Sequence, residues 1–206
     1  MAEEEYNKSL EIHYKLVEIY PDAYLQNLAV NLDNLARLHI QLNKYKLAED
    51  ENNKALNIFC RLTEIYPDLF LPKVVDKLKD LSDLHWILGK YDVAEQEYTE
   101  VISIYGKLEE ESPTIYNSKI ASAMNMLAYC QYKLGKNGLV LPTIEKAISL
   151  DPIAEYYDSK GELLMLLGKK EEAKTVYEKI LEIEPTYFDD KRSEFYKLLF
   201  GEQQQQ

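Results

Sequence analysis

The feature that most constrains this chain is a pattern that returns every 46 residues. Leu35-Ala36-Arg37-Leu38-His39-Ile40-Gln41-Leu42-Asn43-Lys44-Tyr45 recurs as Leu81-Ser82-Asp83-Leu84-His85-Trp86-Ile87-Leu88-Gly89-Lys90-Tyr91, then as Leu127-Ala128-Tyr129-Cys130-Gln131-Tyr132-Lys133-Leu134-Gly135-Lys136. A fourth copy, Lys160-Gly161-Glu162-Leu163-Leu164-Met165-Leu166-Leu167-Gly168-Lys169-Lys170, follows after 33 residues. A fixed period of this size marks a chain of stacked supersecondary units, none able to bury its apolar face alone.

Reading across the copies gives the packing. Small residues recur at Ala36, Ser82, Ala128 and Gly161. Others follow at Ala48, Ala94, Val140 and Ala173, then at Ala55, Val101, Ala147 and Ile180. Small side chains let helices approach closely. Larger residues at Leu32, Leu78, Met124 and Tyr157, and at Leu38, Leu84, Cys130 and Leu163, fill the space between. Apolar spacing of three or four residues is helical. The breaks are short, and Gly or Asn just past a helix end suits a left-handed cap. Seven glycines and seven prolines are too few for many-turned strands. The expected fold is all-α, built from antiparallel helix pairs.

These columns resemble the tetratricopeptide repeat over roughly residues 2–185. The last copy resembles it most, from Asp151-Pro152 through Gly161, Leu167-Gly168-Lys169, Ala173 and Tyr177 to Glu184-Pro185. The longer copies are similar to the repeats of kinesin-light-chain-type and bacterial members. The resemblance implies a right-handed α-α superhelix in a single solenoid over 1–200. Its expected parts are a half repeat at 1–20, repeats at about 21–66, 67–111, 113–151 and 152–185, and a capping helix at about 187–200. In that cap Lys191, Arg192, Glu194 and Lys197 would face water. Tyr187, Phe188, Phe195, Leu198 and Leu199 would seal the last repeat. Residues 201–206, with the Gln203–Gln206 run, are expected to be disordered. Pro72 is expected at a helix start, and Pro142 near the first turn of its helix.

Composition narrows the function. The formal net charge is −12, with 36 acids against 24 bases. Such a surface repels a phosphate backbone, so nucleic acid is not an expected partner. No apolar run approaches the roughly 20 residues of a membrane span, and the acidic start is no secretory signal. A cytoplasmic protein is expected. Cys60 and Cys130 form no CxxC pair, so neither disulfide nor zinc is suggested. There is no glycine-rich phosphate loop, no H-E-x-x-H and no G-x-S-x-G. No cofactor, metal or catalytic residue is expected. His39 and His85 are equivalent positions in a column that continues with Gln131 and Leu164, which reads as packing rather than chemistry. Seventeen tyrosines against five phenylalanines supply core residues and, at Tyr129 and Tyr132, surface ones. Trp86 reads as packing.

The resemblance also implies a concave groove lined by the first helix of each pair. Its inner columns would be Asp33, Lys79, Asn125 and Asp158, then Arg37, Asp83, Tyr129 and Glu162, flanked by Val30, Asp76, Ser122 and Glu155. The Lys/Asn/Arg clamp by which co-chaperone members hold a terminal carboxylate is absent. The expected function is a non-catalytic protein- or peptide-binding scaffold, with a neutral or basic ligand held more weakly as salt rises. The alternatives are a self-associating structural module and the interaction part of a larger protein. Against the groove stands the plainer reading that these acids only keep the surface soluble.

Overall fold

The computed structural model describes residues 2–111, 114–190 and 194–201. Every element among them is helical: α1 (Ala2–Ile19), α2 (Pro21–Gln41), α3 (Tyr45–Ile65), α4 (Pro67–Ile87), α5 (Tyr91–Glu111), α6 (Asn117–Lys133), α7 (Asn137–Leu150), α8 (Ala154–Leu166), α9 (Lys170–Ile183), α10 (Tyr187–Asp190) and α11 (Glu194–Phe200). The contacts divide the chain into two compact units, 1–97 and 98–206, with the division falling inside α5.

Each helix pair turns back through the same device. Asn43, Gly89, Gly135 and Gly168 all have φ between 57° and 77°. The amides of Lys44, Lys90, Lys136 and Lys169 then donate to the carbonyls of His39, His85, Gln131 and Leu164 at 2.8–2.9 Å. This 6→1 bond across a left-handed residue is the Schellman closure, and it satisfies carbonyls the helix end would orphan.

Unit one packs α1 against α2, α2 against α3, and α3 against α4. Its core holds Leu10, Leu25, Leu28, Leu32, Leu35, Ile58, Phe59, Leu62 and Phe70. Each such large side chain contributes about 1.5–3 kcal/mol when fully buried. Unit two packs α6 on α7, α7 on α8, and α8 on α9. Ala121, Ala128, Val140, Ile144, Ala147 and Leu163 lie between its first pairs. The small-residue columns are all buried: Ala36, Ser82, Ala128, Ala48, Ala94, Val140, Ala173, Ala55, Val101, Ala147 and Ile180 are each 0% exposed. At Gly161 the reason is direct, since a Cβ there would lie 2.6 Å from Tyr177 Cζ.

Three local expectations are corrected. Pro67 takes the first position of α4, so Pro72 falls inside that helix. There it removes the amide that would bond back to the carbonyl of residue 68. Pro142 is likewise inside α7. Of the expected capping helix, residues 187–190 (α10) and 194–200 (α11) are helical, and 191–193 lie outside the described residues. Phe188, Phe195 and Leu199 pack on the last core, but Leu198 is 68% exposed. Tyr196 and Phe200 serve instead: Tyr196 stacks on Phe188 at 4.0 Å and is tilted against Phe200 at 4.8 Å. Lys191 and Arg192, the Glu194 side chain and the Gln203–Gln206 tail lie outside the described residues.

Candidate functional site

The pairing of α2 with α3 and of α3 with α4 leaves α2 and α4 facing each other across a cleft, with α3 beneath. One stretch of it, about 270 Å³, is lined by Gln26, Val30, Asp33 and Arg37 of α2, Phe59 of α3, and Leu69, Phe70, Lys73, Asp76 and Lys77 of α4. The next stretch, about 280 Å³, is lined by Arg37 and Ile40 of α2, Asn52 of α3, and Asp80, Asp83, Leu84 and Ile87 of α4. Arg37 lines both stretches of this α2/α4 groove.

Charges along the groove are paired. Arg37 Nε donates to Asp33 at 3.3 Å. The Lys77 ammonium, almost fully buried, bridges Asp33 and Asp80 and so ties α2 to α4. Lys79 donates to Asp83 at 2.8 Å. Neighbouring carboxylates, Asp33 foremost, hold the Arg37 guanidinium above its ordinary pKa. Of the expected residues, Val30, Asp33, Arg37, Asp76 and Asp83 line these stretches. Lys79 lines neither stretch. Lys77, Asp80 and Asn52 also belong to it, although the inner columns do not single them out.

In unit two the expected residues lie on α6 and α8, and one pair of them meets. Tyr129 Oη donates to Glu162 at 2.6 Å. Burial, helped by Glu162, pushes this phenol far above its ordinary value. Tyr129 is thus a half-buried link between helices rather than an open surface residue. Tyr187 Oη donates to Asp158 at 3.3 Å. Asn125 is half-buried, and its Oδ1 has no hydrogen-bond partner among the described residues.

His39 and His85 are buried, as a packing column requires, but each is also the centre of a polar relay. His39 Nδ1 lies 2.7 Å from Glu51 and Nε2 3.1 Å from Glu3, which also accepts from Lys44 at 2.7 Å. Forty-six residues on, His85 meets Glu97 at 2.8 Å and Glu49 at 3.1 Å, with Lys90 on Glu49 at 2.7 Å. The signal was present in the sequence: both the glutamates and the lysines repeat at the histidine spacing. Hydrogen bonds from Lys44 and then His39 hold Glu3 below the usual carboxylate range. Lys90, and after it His85, do the same to Glu49, against a rise from burial. Burial pushes Glu51 up. These groups join consecutive helices; no described group of three metal-ligating side chains could hold an ion. Trp86 packs on Tyr91 at 4.9 Å.

A further cavity of about 590 Å³ lies between α1 and α2, lined by Glu5, Tyr6, Ser9, His13, Asn27, Val30, Asn31 and Asn34. Three of its polar groups meet: Asn31 Nδ2 donates to Ser9 Oγ at 2.7 Å and lies 3.3 Å from His13 Nδ1. No described helix is long and apolar enough to cross a membrane.

Comparison with known proteins fits this geometry. The tetratricopeptide repeat model matches residues 80–107, 121–153 and 154–187. No match to the sequence was found among curated proteins. Solved structures share the fold at low identity. MamA superposes with a TM-score of 0.59 at 15% identity, covering 91% of this chain and 94% of its own. BtubC (BKLC) from P. vanneervenii gives 0.55 at 16%, covering 92% of each chain. The nearly identical repeats of a Podosopora anserina protein described as a kinesin light chain give 0.65 at 14%, covering 90% and 89%. Three matched repeats, with the repeated columns and the common closure of the helix pairs, show that the chain is built of tetratricopeptide repeats, and the solved structures share its fold.

Proposed function

We propose that the chain is a non-catalytic, cytoplasmic protein- or peptide-binding scaffold, and that its ligand lies in the groove between α2 and α4. The observation that carries this reading is the groove itself. Its two stretches share Arg37, the first has Phe59 and Phe70 in its lining, and Asp33, Arg37, Lys77 and Asp80 are paired with one another. Its lining holds four carboxylates (Asp33, Asp76, Asp80, Asp83) against three cations (Arg37, Lys73, Lys77), which favours a neutral or basic segment over an acidic one. Asn125, Tyr129, Asp158 and Glu162 would serve the same role on α6 and α8. The test is selection of peptides from a displayed random library on the full chain, followed by anisotropy titrations. An Asp76→Lys/Asp83→Lys variant of unchanged helicity is expected to bind the selected basic peptides at least about tenfold more weakly, a loss of about 1.4 kcal/mol. Equal affinity for wild type and variant would remove the groove from the reading.

A second reading is self-association. It is favoured by Ile19, Tyr20, Ile65, Tyr66 and Leu69, each more than half exposed at the junctions of α1 with α2 and of α3 with α4. A sedimentation mass that rises with concentration, together with failure to select any peptide, would favour it.

A further inference from the structure

Asn52 departs from its own column. Counting 46 residues back and forward gives Tyr6 and Tyr98, and the column continues with Ile144 and Tyr177. Tyr98, Ile144 and Tyr177 are fully buried, with 0% exposure. Asn52 is buried as deeply, at 1%, but its side chain is far shorter. Neither its Nδ2 nor its Oδ1 has a hydrogen-bond partner among the described residues. A buried amide left in that state carries the full desolvation penalty of each unmet group. Beside it is the 280 Å³ stretch of the groove, with Ile40, Leu84 and Ile87 as walls and Arg37, Asp80 and Asp83 at the rim.

We propose that this stretch is a specificity pocket of the α2/α4 groove, and that it takes one tyrosine side chain from the bound peptide. The inference rests on the groove being the peptide site. The apolar walls suit the body of a ring. A phenol hydroxyl both donates and accepts, so one atom at the tip can meet Oδ1 and Nδ2 together. A leucine or phenylalanine fills the space and leaves both amide atoms unmet. A lysine or arginine would have to bring its charge to a neutral floor while two carboxylates stand at the rim. A glutamine meets the amide but sets a polar chain against three aliphatic walls. The ligand ring would thus occupy space that a side chain of the protein itself fills at the other positions of the column.

The test uses the full chain with methyl- and amide-labelled NMR spectra and three probes: 4-methylphenol, toluene and propionamide. 4-Methylphenol should shift the Asn52 side-chain amide and the Ile40 and Ile87 methyls, saturating at several-fold lower concentration than the other two. Asn52→Ala keeps the space and removes the amide, so the preference for 4-methylphenol over toluene should vanish. Asn52→Ile closes the space and should bind neither. Isoleucine is the suitable filler because Ala128 and Ile144 stand 16 residues apart, as Ala36 and Asn52 do, and share one core. Absence of shifts with 4-methylphenol, an unchanged preference in Asn52→Ala, or tighter binding of propionamide would each overturn the proposal. If library peptides bind the groove while 4-methylphenol ignores Asn52, the pocket fails and the groove stands. If 4-methylphenol binds at Asn52 but no peptide is selected, the groove reading fails and the tyrosine ligand falls with it.

Discussion

Glu51 shows how much a single proton matters inside a repeat. The His39 ring has a carboxylate at each nitrogen, Glu51 and Glu3. A neutral imidazole has one N–H, so two such contacts need a second proton, carried either by the ring or by a carboxyl. Lys44 keeps Glu3 ionised, whereas burial pushes Glu51 up. The neutral form of Glu51 is therefore the one the fold prefers. Its contribution to stability is fully present below the unfolded value, about pH 4, and is lost as pH rises through the folded value. Glu51→Gln fixes the neutral, hydrogen-bonding state. Urea midpoints should put this variant level with wild type near pH 4 and ahead of it at higher pH. A variant that falls behind as pH rises would mean that the ionised carboxylate is the stabilising form. The last copies meet the same geometry differently, with Gln131 and Thr143 and then Leu164 and Val176 at the matching positions.

At the scale of the element, the helix pair is closed by backbone geometry that one residue must supply. Gly135 has φ 71° and open space around its missing Cβ, so only conformation restricts the position. Gly135→Ala should cost about 1–2 kcal/mol, the penalty for an L-residue in the left-handed region. Gly135→Asn should cost less than half as much, because Asn43 already carries the equivalent turn. Thermal or urea unfolding that ranks alanine no lower than asparagine would contradict this. Such turns are legible in sequence, as are the small-residue columns, because steric demands at one position leave few acceptable residues. The prolines are less legible: Pro72 and Pro67 both suit a helix start, and only the fold shows that Pro67 takes it. Of the inner-face columns, Val30, Asp33, Arg37, Asp76 and Asp83 line the stretches between α2 and α4, and Lys79 does not. Asn52 was hidden for another reason. It lies on the second helix of its pair, which the inner-face columns do not include. The relays of His39 and His85 depend on partners 12 residues ahead and 36 behind. Their spacing is visible in the sequence, but their meeting requires the stacking of three successive helices.

For the whole molecule the governing quantity is charge. Thirty-six acids against 24 bases give a field that draws in cationic segments and repels anionic ones. Near the groove much of that field is cancelled locally, since Lys77 answers Asp33 and Asp80, and Lys79 answers Asp83. The attraction on a basic peptide therefore comes mostly from charges at a distance, which salt screens strongly. The Debye length falls from about 10 Å at 0.1 M to about 3 Å at 1 M. A basic library peptide should lose about tenfold in affinity between about 0.05 M and 0.5 M salt, mostly through a slower association rate. A neutral peptide carrying the same anchor side chain should change by less than about twofold, because burial of that anchor is not screened. Stopped-flow association and equilibrium anisotropy on the two peptides separate these terms. Equal salt dependence for both would show that the acidic surface keeps the chain dispersed without guiding its partner. A strong dependence confined to the basic peptide would make the surface charge part of how the groove selects what it binds.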